Sequence, residues 1–383
     1  MDTPSVITRQ TTSARRLAAL NGSLLTGLLA ASALLACSSS GSSTSSTPQA
    51  ASSTPASSCR PASQPAFSLP SYKGLNYGVP NTVSGDYVGV EWLRTGEGDD
   101  SPFDKTYPAL QADLAFIKQH NLGRTMRLFL GIDQTMVWND RDGFVRFDPV
   151  ALDNFQRALD AFAAQGMKVI VVLFDEEEQD SIGTFRYQAL DGHHPTMRAN
   201  YLRAIDTFLK RFGSNPTVAA WDLFNEAYNS LGTDGGIKTP GYPRETVHAW
   251  LHDLYVTAKC AAPNAWFTNS DSTELYGKDN PDLSKLDDSL DFYDIHVYDD
   301  NPELPDWKSL LHKPYIIGEA GANDQNNHYR DQTINPRVVG YLLQHGQQAG
   351  VRAVLAHSAD DNVYPRNRSG LTPTGKVISA FQG

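Results

Sequence analysis

The stretch Val218-Ala219-Ala220-Trp221-Asp222-Leu223-Phe224-Asn225-Glu226 decides how this chain is read. A short, mostly apolar run with no turn signal inside it is the pattern of a strand buried on both faces of a parallel sheet. This one ends on an amide and a carboxylate. A carboxylate that follows a buried strand carries a desolvation cost that packing does not offset, so it calls for a chemical reason. The pattern recurs at Tyr315-Ile316-Ile317-Gly318-Glu319.

Working outward, strand-like runs are expected at 73–77, 125–130, 168–174, 218–224, 265–268, 292–297, 315–318 and 353–356. Helical stretches are expected between and after them, at 107–120, 149–166, 195–212, 244–260, 283–287, 306–311, 335–350 and 374–381. In the second of these, Leu152, Phe155, Leu159 and Phe162 share one face at helical spacing. Gly166 marks its end, and Asn215-Pro216 stops the third and leads into a strand. Eight strand-plus-helix units predict an α/β fold, a single (β/α)8 TIM barrel over 71–383. A doubly wound open sheet is the competing architecture, but no G-x-G-x-x-G follows the first strand.

Barrels place their chemistry where strands end at the C-terminal face. Glu226 closes the fourth expected strand and Glu319 the seventh, three strands apart around one ring. With Asn225 before Glu226, Gly74-Leu75-Asn76 on the first strand, Arg127 on the second, His296-Val297-Tyr298 closing the sixth and Gly318-Glu319-Ala320-Gly321, the chain resembles the retaining glycoside hydrolases of clan A. It is most similar to the cellulase- and mannanase-like family 5. The resemblance spans 71–383 as a pattern of spacing.

The resemblance implies a retaining endo-β-glycosidase acting on a β-linked polysaccharide of β-glucan, β-mannan or bacterial exopolysaccharide type. Glu319 would be the nucleophile and Glu226 the acid/base. Arg127 and Tyr298 would donate to Glu319 and hold its pKa low, while burial and the neighbouring charge would raise that of Glu226. Asn225 would bind the sugar 2-hydroxyl, and His296 would orient the acid/base or a hydroxyl. Sugar rings stack on aromatic faces. Trp92 and Trp138, in loops after the first and second strands, are the expected platforms, with Tyr228 and Tyr77 secondary and Trp221 and Trp250 read as core. Clan members usually end the eighth strand with a Trp, where this chain has Leu355-Ala356-His357-Ser358, so His357 is the candidate for that place. The third strand ends Phe174-Asp175-Glu176-Glu177-Glu178, without the His common in many family 5 cellulases. No cofactor or metal is implied.

Outside the domain, Arg9, Arg15 and Arg16 precede an apolar run, so 1–36 reads as an export signal. Leu34-Leu35-Ala36-Cys37 resembles a bacterial lipobox, which predicts a lipidated Cys37 as the only membrane attachment and a cell-envelope location, otherwise secretion. Residues 37–70, rich in Ser, Thr, Ala and Pro, read as a flexible tether. Cys59 and Cys260 are then candidates for a disulfide in an oxidising compartment. A net charge of −11 argues against a nucleic-acid partner.

The chain is expected to act as a monomer. Gly370–Lys376 has Walker-A spacing, but Val377 stands where a Ser or Thr is needed and no strand leads in. The acidic run 175–180 and His193-His194 lack zinc-like spacing. Two other functions share these features: a carbohydrate-binding surface lipoprotein that has lost catalysis, and an envelope-polysaccharide transglycosylase.

Overall fold

The computed structural model describes residues 59, 64–78, 102–139, 143–175, 187–190, 194–231, 241–276, 283–323, 328–359 and 361–383. Each strand sorts its residues by period two, one set facing the helices and the other the barrel interior. In β1 (Lys73–Tyr77) and β2 (Thr125–Phe129) the apolar Leu75, Met126 and Leu128 join the outer core, while Asn76 and Arg127 point inward. The remaining strands of the main sheet are β5 (Lys168–Phe174), β6 (Val218–Phe224), β7 (Phe267–Thr268), β8 (Asp271–Ser272), β9 (Tyr293–Tyr298), β10 (Tyr315–Gly321) and β11 (Val354–Ala356).

These pair in parallel in the order β7-β6-β5-β2-β1-β11-β10-β9-β8. Strands β7 and β8 are two halves of one passage of chain: β7 bonds to β6 and β8 to β9. The sheet therefore returns to the passage from which it began, and the eight expected strands make the ring of a (β/α)8 barrel. A further antiparallel hairpin, β3 (Met136–Trp138) with β4 (Phe144–Phe147), stands in what the sequence reading took as a loop. It is anchored by Phe144 and Phe147 in the outer core.

Helices α1 (Pro102–Gln119), α2 (Pro149–Ala164), α3 (Pro195–Phe212), α4 (Ala227–Leu231), α5 (Arg244–Ala261), α6 (Trp307–Leu310), α7 (Asn335–Gln348) and α8 (Pro373–Ala380) accompany the strands. Asp148 caps α2, accepting from the Val150 N–H at 2.9 Å, and Thr372 caps α8, accepting from Gly375 at 3.1 Å. Helix α1 starts earlier than expected and runs through Pro108, because fully buried Phe103 holds an extra turn against the core.

The lower end of the barrel is closed by Ile170, Ala220, Phe292, Ile316, Ala353 and Leu355, with Phe67, Leu69 and Trp266 packed against them. Phe67 stacks on Phe292 at 4.5 Å, and Gln64 donates to the Ala265 carbonyl at 3.1 Å. Residues 64–70, read from sequence as the end of the tether, are thus a strap across the barrel floor. Cys59 and Cys260 form a disulfide with their Cα atoms 4.8 Å apart, pinning the strap to the end of α5. Among the described residues, no helix is long and apolar enough to cross a membrane.

Candidate active site

Glu319 should face the helices, because Ile317 does and the residues alternate. A register shift between Ile317 and Glu319 against β9 turns its carboxylate into the barrel instead. Gly318 permits this: a Cβ there would lie 1.7 Å from Asp294 Oδ1. Glu319 Oε1 then accepts from Arg127 Nη1 at 2.5 Å and Oε2 from the Tyr298 hydroxyl at 2.5 Å. His296 Nδ1 and His357 Nδ1 stand 3.7 and 3.5 Å from Oε2. Burial alone would raise the Glu319 carboxyl, but the charges of His296, His357 and Arg127 and the Tyr298 hydrogen bond bring it down to about 2. It is ionised at any ordinary pH.

Arg127 is fully buried and gathers the interior charges. Its Nη2 donates to Asp222 at 2.7 Å, Asn225 Oδ1 at 2.6 Å and Ser270 Oγ at 3.0 Å, and its Nη1 also to Asn76 at 3.0 Å. Nε lies 3.6 Å from Asp294 Oδ2. A buried cation is tolerable only with such partners. The arrangement also fixes Asn225 Oδ1 toward the guanidinium.

Glu226 follows β6 with φ +46°, the left-handed conformation of a sharp strand-to-helix turn. Three contacts hold it there. Its N–H donates to the Ser270 carbonyl at 3.0 Å, Asp271 Oδ2 accepts from the Tyr228 N–H at 2.8 Å, and Asn229 Nδ2 donates to Glu226 Oε2 at 3.0 Å. Oε1 meets His296 Nδ1 at 2.5 Å. The sequence reading expected a raised Glu226 pKa, and this is corrected. Burial does push it up, but the His296 hydrogen bond and charge outweigh burial and hold it below its ordinary value. The proton is displaced onto the imidazole. Although burial disfavours a charged His296, the Glu319 charge and the Glu226 contact raise it to about 9.

Donor atoms of Glu226, His296 and Glu319 all lie within 4.8 Å of one another. The same three could hold a metal by distance alone. Their chemistry disfavours it: Arg127 already neutralises Glu319, and the His296 nitrogen that would ligate is engaged with Glu226.

Of the other expected residues, Tyr298 and His357 stand beside Glu319, with ring centroids 5.6 Å apart. His357 is half-buried and directly follows β11. Trp138 is half-buried in the hairpin, edge-on to Tyr201 of α3 at 5.3 Å. The Tyr228 hydroxyl turns to His248 Nδ1 of α5 at 3.0 Å. Tyr77 is no platform: its ring is buried against Phe162 and its hydroxyl donates to Asp113, so it belongs to the outer core. Trp221 and Trp250 are buried, as the sequence suggested. Trp92 and most of the acidic run after Asp175, with His193, lie outside the described residues.

Sequence reasoning missed Asp222, Asp294, Ser270, Asp271 and Asn229. Asp294 was readable: Asp294, His296 and Tyr298 alternate along one face of β9. Asn229 stands one helical turn beyond Glu226.

By sequence, no protein-family model and no curated protein matches the chain. By structure, it is similar to the β-mannanase of the blue mussel Mytilus edulis, with a TM-score of 0.54 and 15% identity over 81% of this chain and 96% of that one. The β-1,4-D-mannanase of Cryptopygus antarcticus gives 0.53 and 16% identity over 80% and 94%. A GH5_18 protein of Streptomyces cattleya in complex with Manβ1-4GlcNAc gives 0.59 and 15% over 81% and 79%. With two buried carboxylates meeting at the mouth of its barrel, the chain has the (β/α)8 fold of these glycoside hydrolases.

Proposed function

We propose that this protein is a retaining β-glycosidase that hydrolyses a mannan-type polysaccharide by double displacement. One observation carries the reading: two carboxylates with opposite proton environments face each other across the barrel mouth. Glu319 is held ionised by Arg127 and Tyr298, while Glu226 shares a proton with His296. Their close approach supports retention, which needs carboxyl groups about 5–5.5 Å apart rather than the wider gap of inverting enzymes. The β-mannanases among the structural neighbours support the substrate class.

In the first step Glu319 attacks the anomeric carbon and the Glu226–His296 pair gives its shared proton to the leaving oxygen. In the second, Glu226 takes a proton from water, the resulting hydroxide releases the sugar from Glu319, and the pair regains its proton. Asn225, with Oδ1 held by Arg127 and one amide N–H donated to Asp175 Oδ1 at 3.4 Å, has its second N–H to meet a sugar hydroxyl. We also propose export and lipidation at Cys37. The Cys59–Cys260 disulfide fits an oxidising compartment, and the mass of the mature N-terminus tests the lipid.

The test is a panel of β-mannans, β-glucans, xylan and bacterial exopolysaccharides assayed for new reducing ends, with product anomers followed by NMR. Wild type should release β-anomers from mannan. Glu319→Ala and Glu226→Ala should each lose about 10⁴-fold or more. An inverted product would sink the mechanism. Binding without turnover would favour a carbohydrate-binding protein, and sugar-to-sugar transfer a transglycosylase.

A further inference from the structure

A cavity of about 370 Å³ opens beside Glu319, lined by Asn76, Phe129, Tyr329, Arg330, His357 and Arg366 among others. Its position in the cleft follows from the chemistry. A leaving group must lie near the Glu226–His296 pair, whereas this cavity shares His357 with the surroundings of Glu319. If the glycosidase reading holds, and this inference rests on it, the cavity receives the part of the substrate that Glu319 retains.

The described lining of the cavity carries more basic than acidic side chains, the reverse of the chain. Arg330 lies over the Tyr329 ring, 5.3 Å from its centroid, and its Nε donates to the Tyr329 hydroxyl at 2.9 Å. Arg366, on the opposite segment, has Nε 3.6 Å from Asp361 Oδ2 with its side chain 40% exposed. The His357 ring lies edge-on to those of Tyr298 and Tyr329, with centroids 5.6 and 5.5 Å away. Its buried Nδ1 finds no hydrogen-bond partner among the described residues. Among the described lining residues two guanidinium groups stand against one carboxylate, Asp361, in a protein of net charge −11.

Neutral sugars are held by stacking and by hydrogen bonds to hydroxyls, which need no net charge. Planar guanidinium forks match carboxylates. We propose that this cavity binds a carboxylate-bearing sugar residue within the β-linked chain, a uronic-acid type unit, and that Arg330 and Arg366 are its specificity-determining residues.

The experiment uses β-mannan sparsely oxidised at C6 beside its neutral parent, with products sequenced by mass spectrometry. Wild type should cut the oxidised polymer so that carboxylates concentrate at one fixed position on the retained side of the new reducing ends. The preference should shrink as salt is raised. Arg330→Gln and Arg366→Gln should each reduce that enrichment by about 3–10-fold, and Arg366→Lys should restore part of it. Melting midpoints of the variants confirm folding.

Random placement of carboxylates, their exclusion from the retained side, or enrichment indifferent to both arginines overturns the inference while leaving the glycosidase reading intact. Isothermal titration of oxidised and neutral mannan fragments into Glu226→Gln protein separates the other case. Arginine-dependent preference for the acidic fragment with no turnover by wild type would support the cavity and refute the glycosidase. Equal binding of both fragments, or none, overturns the cavity.

Discussion

His296 decides where the proton shared with Glu226 resides. Its Nδ1 is 2.5 Å from Glu226 and its pKa is raised to about 9, so the pair keeps one transferable proton far into the alkaline range. The alkaline limb of kcat/KM should therefore fall near pH 9. In His296→Gln the partner no longer titrates, and Glu226 must hold the proton alone. The alkaline limb should move acidward by about one to two pH units. A pH–rate profile in which the variant still falls near 9 would place the proton elsewhere. Glu226 and Glu319 were legible in the sequence because a carboxylate ending an apolar strand is conspicuous. The direction of the Glu226 shift was not, because it depends on a 2.5 Å contact with a residue 70 positions away.

The strands were legible for a related reason: burial on both faces forces near-continuous apolar runs. What those runs conceal is register. Strand β10 needs an irregularity after Ile317 to aim Glu319 inward, and its only sequence trace is Gly318. In Gly318→Ala the new methyl would occupy the place of the Asp294 carboxylate, whose Oδ1 lies 1.7 Å from the ideal Cβ. Overpacking of this kind costs about 1–3 kcal/mol. Because the clash is with one side chain, Gly318→Ala and Asp294→Ala should be non-additive, the double variant being more stable than the sum of the singles predicts. Urea unfolding of the four proteins measures this, and additivity would mean that the strand moves rather than the side chain. The hairpin of β3 and β4 escaped notice because its strands are short and half-exposed.

At the scale of the whole molecule, the barrel joins an apolar floor, closed by the strap at 64–70, to a charged interior above it. The charged layer sets the dependence of stability on pH. Glu319 has a native pKa of about 2, below the unfolded value of about 4.3, so its contribution is present above that value and lost as pH falls toward 2. Burial raises Asp271 and Asp294 to about 7, so theirs is full below about 3.9 and lost as pH rises through 7. For His296, raised to about 9, the contribution is full below about 6.5 and lost as pH climbs through 9. The melting midpoint should be highest near about pH 4–5 and decline steadily to pH 9. A midpoint that rises between pH 6 and 9 would contradict the protonated state of the two aspartates. The floor has its own lever, the Cys59–Cys260 bond, which closes 201 residues. Loop closure of that length is worth up to about 5 kcal/mol. Reduction should lower the urea midpoint and leave turnover at room temperature unchanged, because the bond lies at the end of the barrel opposite Glu226 and Glu319. If turnover falls with reduction while the protein stays folded, the strap controls the site as well as the floor.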